Sequence, residues 1–244
     1  MTSTITAGPL SSTEFSTIPT TDSSSTLSNS DPPPPVKQCK FSNHPKNGYT
    51  CTLSGVSVTA DSVEFVIAGQ HLAGKNDSDV VSVVLIRSLL EKVPVVIFER
   101  FTNLDFLDIS NTGISIANEN TLKNCGNLKH LDASVNDISS IREGFLSSCK
   151  HLENVWVENN LINSISPWNV LITGSKSLKV LSLLDNTCVD ESFSDSKFSK
   201  IYEQGSSRPL QACFENFLAG DDKIVRLKTK MTSFRGFEEK IRNF

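Results

Sequence analysis

Apolar residues through the middle of the chain keep the period of neither an isolated helix nor an isolated strand. In NLKHLDASVNDISSI, residues 127–141, Leu128, Leu131, Ala133, Ile138 and Ile141 fit both templates badly, and the polar Asn136 sits among them. The same offsets return 24 residues away on either side. NLDFLDISNTGISI carries Leu104, Leu107, Ile109, Thr112 and Ile114, and HLENVWVENNLINSI carries Leu152, Val155, Val157, Asn160 and Ile162. SLKVLSLLDNTC supplies Leu178, Leu181, Leu183, Asn186 and Cys188 after a two-residue insertion, and a weaker first copy reads Val80, Val83, Leu85, Ser88 and Leu90. Five copies in near-constant register predict a stack of coils, each with a short strand whose apolar residues point inward before the chain turns sharply. At that turn backbone N–H and C=O groups are buried without ladder partners, and an amide side chain offers both a donor and an acceptor. Asn136, Asn160 and Asn186 are therefore expected to form a structural ladder. Thr112 and Ser88, with one hydroxyl each, fill only part of that role. Asn159, one residue earlier in its repeat, is expected to face solvent and to tolerate Ala without loss of stability.

The spacing L-x-x-L-x-L-x-x-N-x-L is the signature of a leucine-rich repeat, and the period lies within the range of that family. The expected fold class is α/β: a solenoid with short parallel strands on the concave face, irregular or 3-10 turns on the convex face, and disulfide-stapled end caps. Residues 1–36 read as a tail, 37–79 as an N-terminal cap, 80–190 as five repeats, 191–220 as a C-terminal cap, and 221–244 as a short amphipathic helix.

Composition sharpens this picture at the ends. The first 35 residues are dominated by Ser, Thr and Pro, contain no Lys or Arg, and hold too few large apolar groups to offset the entropy of ordering. A disordered tail is expected, suited to a hydrated or O-glycosylated stalk, with the prolines at 32–35 as a stiff spacer. It shows no basic n-region or apolar h-region of a secretory signal. A net charge of −4 without Lys/Arg runs gives no electrostatic footprint for nucleic acid, and no apolar stretch is long enough for a membrane span. In 221–244, Ile224, Leu227, Met231, Phe234 and Ile241 follow a heptad-like rhythm broken by Gly236 and Glu238. With fewer than three heptads, packing on the cap or weak self-association is expected rather than a stable coiled coil.

Six cysteines bracket and punctuate the repeats. Cys39 and Cys51 could close an N-terminal cap hairpin, and Cys188 could clamp the last repeat to Cys213; small caps with little core gain most from such closure. Cys125 and Cys149 stand 24 apart at the repeat position of Phe101. They read first as small apolar residues filling convex-side slots, although neighbouring coils about 5 Å apart also leave a bridge between them open. Disulfides imply an oxidising compartment, as does the sequon at Asn76, Asn-Asp-Ser.

Catalytic chemistry finds no motif. None of His44, His71, His130 and His151 accompanies a nucleophile or metal signature, no Cys spacing resembles a zinc site, and no Gly-rich phosphate loop is present, so neither enzyme activity nor metal nor cofactor is expected. Asp108 and Asp132 share a register on successive strands, which on an open face reads as charge rather than acid/base machinery.

The segments outside the repeats add a resemblance. CKF, YTCTLSGVSV and FVIAGQHLAGKNDSDVVSVVL before the repeats, with DNTCVDESF and LQACFENF after them, are similar to the secreted leucine-rich-repeat proteins of dipteran insects, the midge and mosquito type. That resemblance covers roughly residues 39–217. It implies that the Cys39/Cys51 hairpin is the N-terminal cap, FVIAGQHL an edge strand of it, and Cys188/Cys213 the C-terminal cap. It also implies an extracellular recognition or scaffold role.

Function must then lie on a surface. Residues between the buried strand positions face the concave side: Val84, Asp108, Asp132, Trp156 and Ser182 in one row, and Ser82, Phe106, His130, Asn154 and Val180 in another. Trp156 and Phe106 are large aromatics on an otherwise polar sheet, where binding energy concentrates. With Asp108, His130, Asp132, Asn154 and Glu158 they form the expected ligand face, for a protein or glycan partner. The competing expectation is a structural or adhesive extracellular component without a specific ligand.

Overall fold

The computed structural model describes residues 33–59, 65–166, 177–194 and 208–220. The chain divides into two units, 1–33 and 34–244, and the second is described here. The expected tail, apart from its last residues, and the expected helix over 221–244 lie outside the described residues.

Two strands open the second unit. Strand β1 (Val36–His44) and strand β2 (Gly48–Ser54) form an antiparallel hairpin, so that Val36, assigned above to the tail, already belongs to a strand. Short strands β3 (Ser57–Val58) and β4 (Val66–Ala68) follow, and β4 pairs parallel with β1 as the edge of the large sheet. The repeats then supply β5 (Ser82–Ile86), β7 (Phe106–Asp108), β9 (His130–Asp132), β11 (Asn154–Trp156) and β13 (Val180–Ser182). Strand β14 (Ser192–Ser194) closes the far edge antiparallel to β13. Together these make a nine-stranded sheet in the order β14-β13-β11-β9-β7-β5-β2-β1-β4.

Register within this sheet follows the repeat. Val83 pairs with Leu107, Leu107 with Leu131, Leu131 with Val155, and Val155 with Leu181, and all five are buried. A one-residue slip would turn this entire column to solvent, so burial fixes the pairing. The convex side is more regular than irregular or 3-10 turns. Strands β8 (Ile116–Ala117), β10 (Ser140–Ile141) and β12 (Ser164–Ile165) form a second parallel ladder that stacks the buried Ala117, Ile141 and Ile165. The 3-10 turn among the described residues, Asp77–Asp79, lies in the N-terminal cap, and a short helix, α1 (Val96–Arg100), buries Ile97 and Phe98 in the first repeat.

The N-terminal cap contains a coil that the repeat search missed. Cys51 pairs with Val83 and Leu53 with Leu85, while Val58 pairs with Leu90 through β3 and β6 (Leu89–Leu90). Thus YTCTLSGVSV is a further strand-and-turn in register with the repeats. Its interval to the next copy is 32 residues rather than 24, which hid it from a fixed period. At the other end, helix α2 (Arg208–Gly220) packs on β12, and Asn216 Nδ2 donates to the Asn163 carbonyl at 2.8 Å.

All six cysteines are paired: Cys39–Cys51, Cys125–Cys149 and Cys188–Cys213. The reading of Cys125 and Cys149 as unpaired apolar fillers is corrected. Successive coils bring their Cα atoms within 4.8 Å, inside disulfide range, and the bridge occupies the fully buried slot that an apolar side chain would have filled.

The asparagines act between coils. Asn136 is 7 % exposed; its Nδ2 donates to the Ala133 carbonyl of its own turn at 3.1 Å and to the Ile109 carbonyl of the preceding coil at 3.0 Å. Its Oδ1 accepts from the preceding coil's Thr112 N–H at 2.9 Å and Ile114 N–H at 3.2 Å. Asn160 repeats this with the Ala133 carbonyl and the Ile138 N–H, and Asn186 with the Val157 carbonyl and the Ile162 N–H. In the first repeat the Ser88 hydroxyl accepts from Val56 N–H and donates to the Ile86 carbonyl, so a single group does half the task.

Each turn also contains a left-handed residue: Arg87, Asn111, Val135, Asn159 and Asp185 all have φ between 49° and 54°. Asn and Asp tolerate this conformation through their short polar side chains, whereas β-branched Val135 does not, and at 53 % exposure it gains little packing in return. The expectation that Asn159→Ala is silent is therefore revised, since Ala would inherit the left-handed backbone. Urea denaturation should find Asn136→Ala destabilised by about 1–3 kcal/mol and Asn159→Ala by about 1 kcal/mol. Val135→Asn should gain about 1 kcal/mol. A loss of stability in Val135→Asn would contradict the assignment of strain to that residue.

Candidate functional site: the concave face

Alternation along the repeat strands decides what reaches the concave face. Leu107, Leu131, Val155 and Leu181 enter the core, so their neighbours on each strand point the other way. Pairing places Phe106, His130, Asn154 and Val180 in one row and Asp108, Asp132, Trp156 and Ser182 in the next. Glu158 follows two residues beyond Trp156, half-buried. The face is not uniformly open. Ser82 and Ser182, expected on this face, are 0 % and 2 % exposed, and the hydroxyls of both lack a hydrogen-bond partner among the described residues.

Its centre is organised by side chains touching across strands. The rings of His130 and Trp156 stack with centroids 6.4 Å apart and planes 29° apart. Asn154 Nδ2 lies 2.8 Å from His130 Nδ1, a hydrogen bond that ties the amide to the imidazole across the strands. Trp156 is half-buried in this stack rather than free. Asp108 Oδ1 accepts from the Ser110 N–H at 2.9 Å and its hydroxyl at 2.6 Å, and Asp132 makes the same turn with Ser134. Each carboxylate is thus oriented by a seryl turn at the end of its strand. Desolvation raises the Asp108 carboxyl above its ordinary range, against the Ser110 hydrogen bonds, and the neighbouring Asp132 charge adds to the rise.

A second ladder of charge runs along the rim where the strands begin. Lys129 pairs with Asp105 at 3.2 Å and Lys179 with Glu153 at 2.7 Å, and the Lys179 hydrogen bond holds the Glu153 carboxyl below its usual range. Asp105, Lys129 and Glu153, with Asn103, Asn127, His151 and Ser177, line an open polar cleft of about 460 Å³. Sequence reasoning missed this rim, although its residues recur in the repeat register just ahead of the strands.

The N-terminal cap holds two further polar features. His71 bridges Tyr49 and Asp77, with Nδ1 3.0 Å from the Tyr49 hydroxyl and Nε2 2.9 Å from Asp77 Oδ1, and Arg100 binds the same carboxylate oxygen. Phe41 stacks on the imidazole at 3.8 Å, which marks the network as a clasp between hairpin and loop. Asn76 is exposed at the start of the 3-10 turn, and its Oδ1 accepts from the Ser78 N–H and hydroxyl. Among the described residues no group of three His, Cys, Asp or Glu is placed to hold a metal ion, and no helix is long and apolar enough to cross a membrane.

Residues 126–170 match the family model described as leucine-rich repeats in two copies. The fold is a leucine-rich-repeat solenoid. A search of curated proteins gave no match. Among solved structures, the leucine-rich repeat domain of APL1 is similar over 63 % of this chain and 37 % of its own, at 15 % identity and a TM-score of 0.48. The LRIM1/APL1C complex is similar over 66 % and 33 %, at 17 % identity and 0.43. The Drosophila Toll–Spatzle complex is similar over 46 % and 15 %, at 16 % identity and 0.42. This chain therefore spans well under half of each of those chains, and nothing about function passes through likeness at that level.

For the leucine-rich-repeat solenoid the raised Asp108 has a definite sign. A carboxyl whose folded pKa lies above its unfolded one binds protons more tightly when folded, so its ionisation costs stability, and that cost grows as pH rises through the folded pKa. Below the unfolded pKa the cost is absent. Asp108→Asn keeps the Oδ1 acceptor for Ser110 and removes the charge, so denaturation midpoints should rise relative to wild type at pH 7 and show little or no gain at pH 3. An equal gain at both pH values would place the effect in packing instead.

Proposed function

We propose that this solenoid is an extracellular, non-catalytic recognition protein that binds a protein or glycan partner through its concave face. The observation that carries the reading is the His130–Trp156 stack on a face that also presents Asp108, Asp132, Asn154 and Phe106. A large aromatic held half-open among oriented polar groups is the arrangement from which binding hot spots are made. Three disulfides in a described unit of this size support an oxidising, extracellular setting. So does Asn76, whose Nδ2 has no partner among the described residues and is presented on an exposed turn for glycan attachment. The similarity of the cap segments to secreted dipteran repeat proteins points the same way, and a role in recognition or immunity fits it.

Immobilised wild type and Trp156→Ala, exposed side by side to secretions of the source organism, separate recognition from a structural role. Wild type should enrich a partner that Trp156→Ala loses by about 2 kcal/mol or more in affinity, with the melting temperature of the variant shifted only slightly. Ser147→Ala, on the exposed convex side, should retain the partner in full. If wild type enriches nothing, or if both proteins retain the same set, the structural or adhesive alternative prevails.

A further inference from the structure

Charge on the concave face is unbalanced in a particular way. Five ion pairs occur among the described residues, and none includes Asp108, Asp132 or Glu158. Asp108 and Asp132 sit directly opposite each other on neighbouring strands, about 5 Å apart by strand spacing. Each uses Oδ1 on its own seryl turn and leaves Oδ2 without a partner among the described residues. Like charges so placed repel, and no basic side chain of the described residues relieves them.

A second observation points to what would. In the row Asp132–Trp156–Ser182 the aromatic lies between a free carboxylate oxygen on β9 and a hydroxyl on β13. Ser182 is 2 % exposed and its Oγ has no hydrogen-bond partner among the described residues, so a buried polar group is left unmet on the strand next to Trp156. Asp132 and Ser182 stand on the strands to either side of Trp156, their backbone positions two strand spacings, roughly 10 Å, apart.

We propose that the concave face takes an arginine side chain of a protein partner, laid flat on Trp156, with one edge of its guanidinium on Asp132 and the opposite edge donating to Ser182. The proposal rests on the concave-face reading given above and narrows it. A guanidinium is planar, stacks on indole, and carries N–H donors on opposite edges, which a lysine ammonium does not. Its charge offsets the Asp108–Asp132 repulsion, which a neutral sugar leaves in place.

The test uses the full chain and defined probes: acetyl-Gly-Arg-Gly-amide, its citrulline and lysine isosteres, and methyl β-glucopyranoside. The indole N–H resonance of Trp156, assigned by its loss in Trp156→Phe, is followed during titration, with the second tryptophan, Trp168, as internal reference. The arginine peptide should shift this resonance with an affinity about tenfold above that of either isostere, weakening as salt is added. Asp132→Asn, which keeps the acceptor for Ser134, should weaken the arginine peptide about tenfold. Ser182→Ala should weaken it about threefold without lowering the melting temperature. Equal response to citrulline or lysine, or a response to the glucoside alone, overturns the proposal. If a partner captured in a Trp156-dependent manner coexists with an unmoved resonance, the arginine proposal falls and the concave-face reading stands; if neither probe nor partner responds, both fall.

Discussion

No coil of this protein can satisfy its own backbone. Each turn that follows a repeat strand buries carbonyls and N–H groups, and the groups that complete them belong to the next coil along the chain. Asn136 reaches back to Ile109 and Thr112, Asn160 to Ala133 and Ile138, Asn186 to Val157 and Ile162. The apolar column Val83–Leu107–Leu131–Val155–Leu181 obeys the same rule, because every member is covered by the coils on either side. Stability is consequently a property of neighbours, and the ends need separate solutions. Hairpin β1–β2 with Cys39–Cys51 closes one end; β14, α2 and Cys188–Cys213 close the other.

Where the repeat was legible, so was the geometry. A shift of 24 residues puts Phe106 beside His130 and Asp108 beside Asp132, and the concave rows follow from alternation alone. What escaped reading did so for identifiable reasons. The coil at 49–58 stands at a longer interval, so counting passed over it. Cys125 and Cys149 satisfy the apolar requirement of their slot as thiols or as a disulfide, and composition does not separate the two. The left-handed turn position accepts Arg87, Asn111, Val135, Asn159 and Asp185, a set with no common side-chain chemistry, and only backbone angles expose it. Burial of Ser82 and Ser182 depends on neighbours across the sheet, which a single strand does not encode.

Concave and rim surfaces solve opposite electrostatic problems with the same repeat. At the rim, the position just before each strand alternates acid and base, Asp105, Lys129, Glu153 and Lys179, and the charges are met within the molecule. One and three residues later the face presents carboxylates and aromatics without basic partners among the described residues. A rim neutralised internally has little to offer a charged partner, while the face keeps its field. The repeat thereby separates a self-contained border from an outward-facing centre within a few residues of chain.

The Cys125–Cys149 bridge has a mechanical consequence. A solenoid held by neighbour contacts peels from its ends, coil by coil, when its termini are pulled apart, because only one interface is loaded at a time. A covalent staple between two interior coils stops that peeling front and confines 24 residues of chain in a closed loop. Chain stored inside the loop contributes nothing to extension while the bond lasts. The strands that carry His130 and the segment leading to Trp156 lie within or beside this loop. Under tension the staple therefore retains the coil of His130, whereas Trp156, beyond Cys149, is drawn away from it by a front that arrives from the C-terminal side.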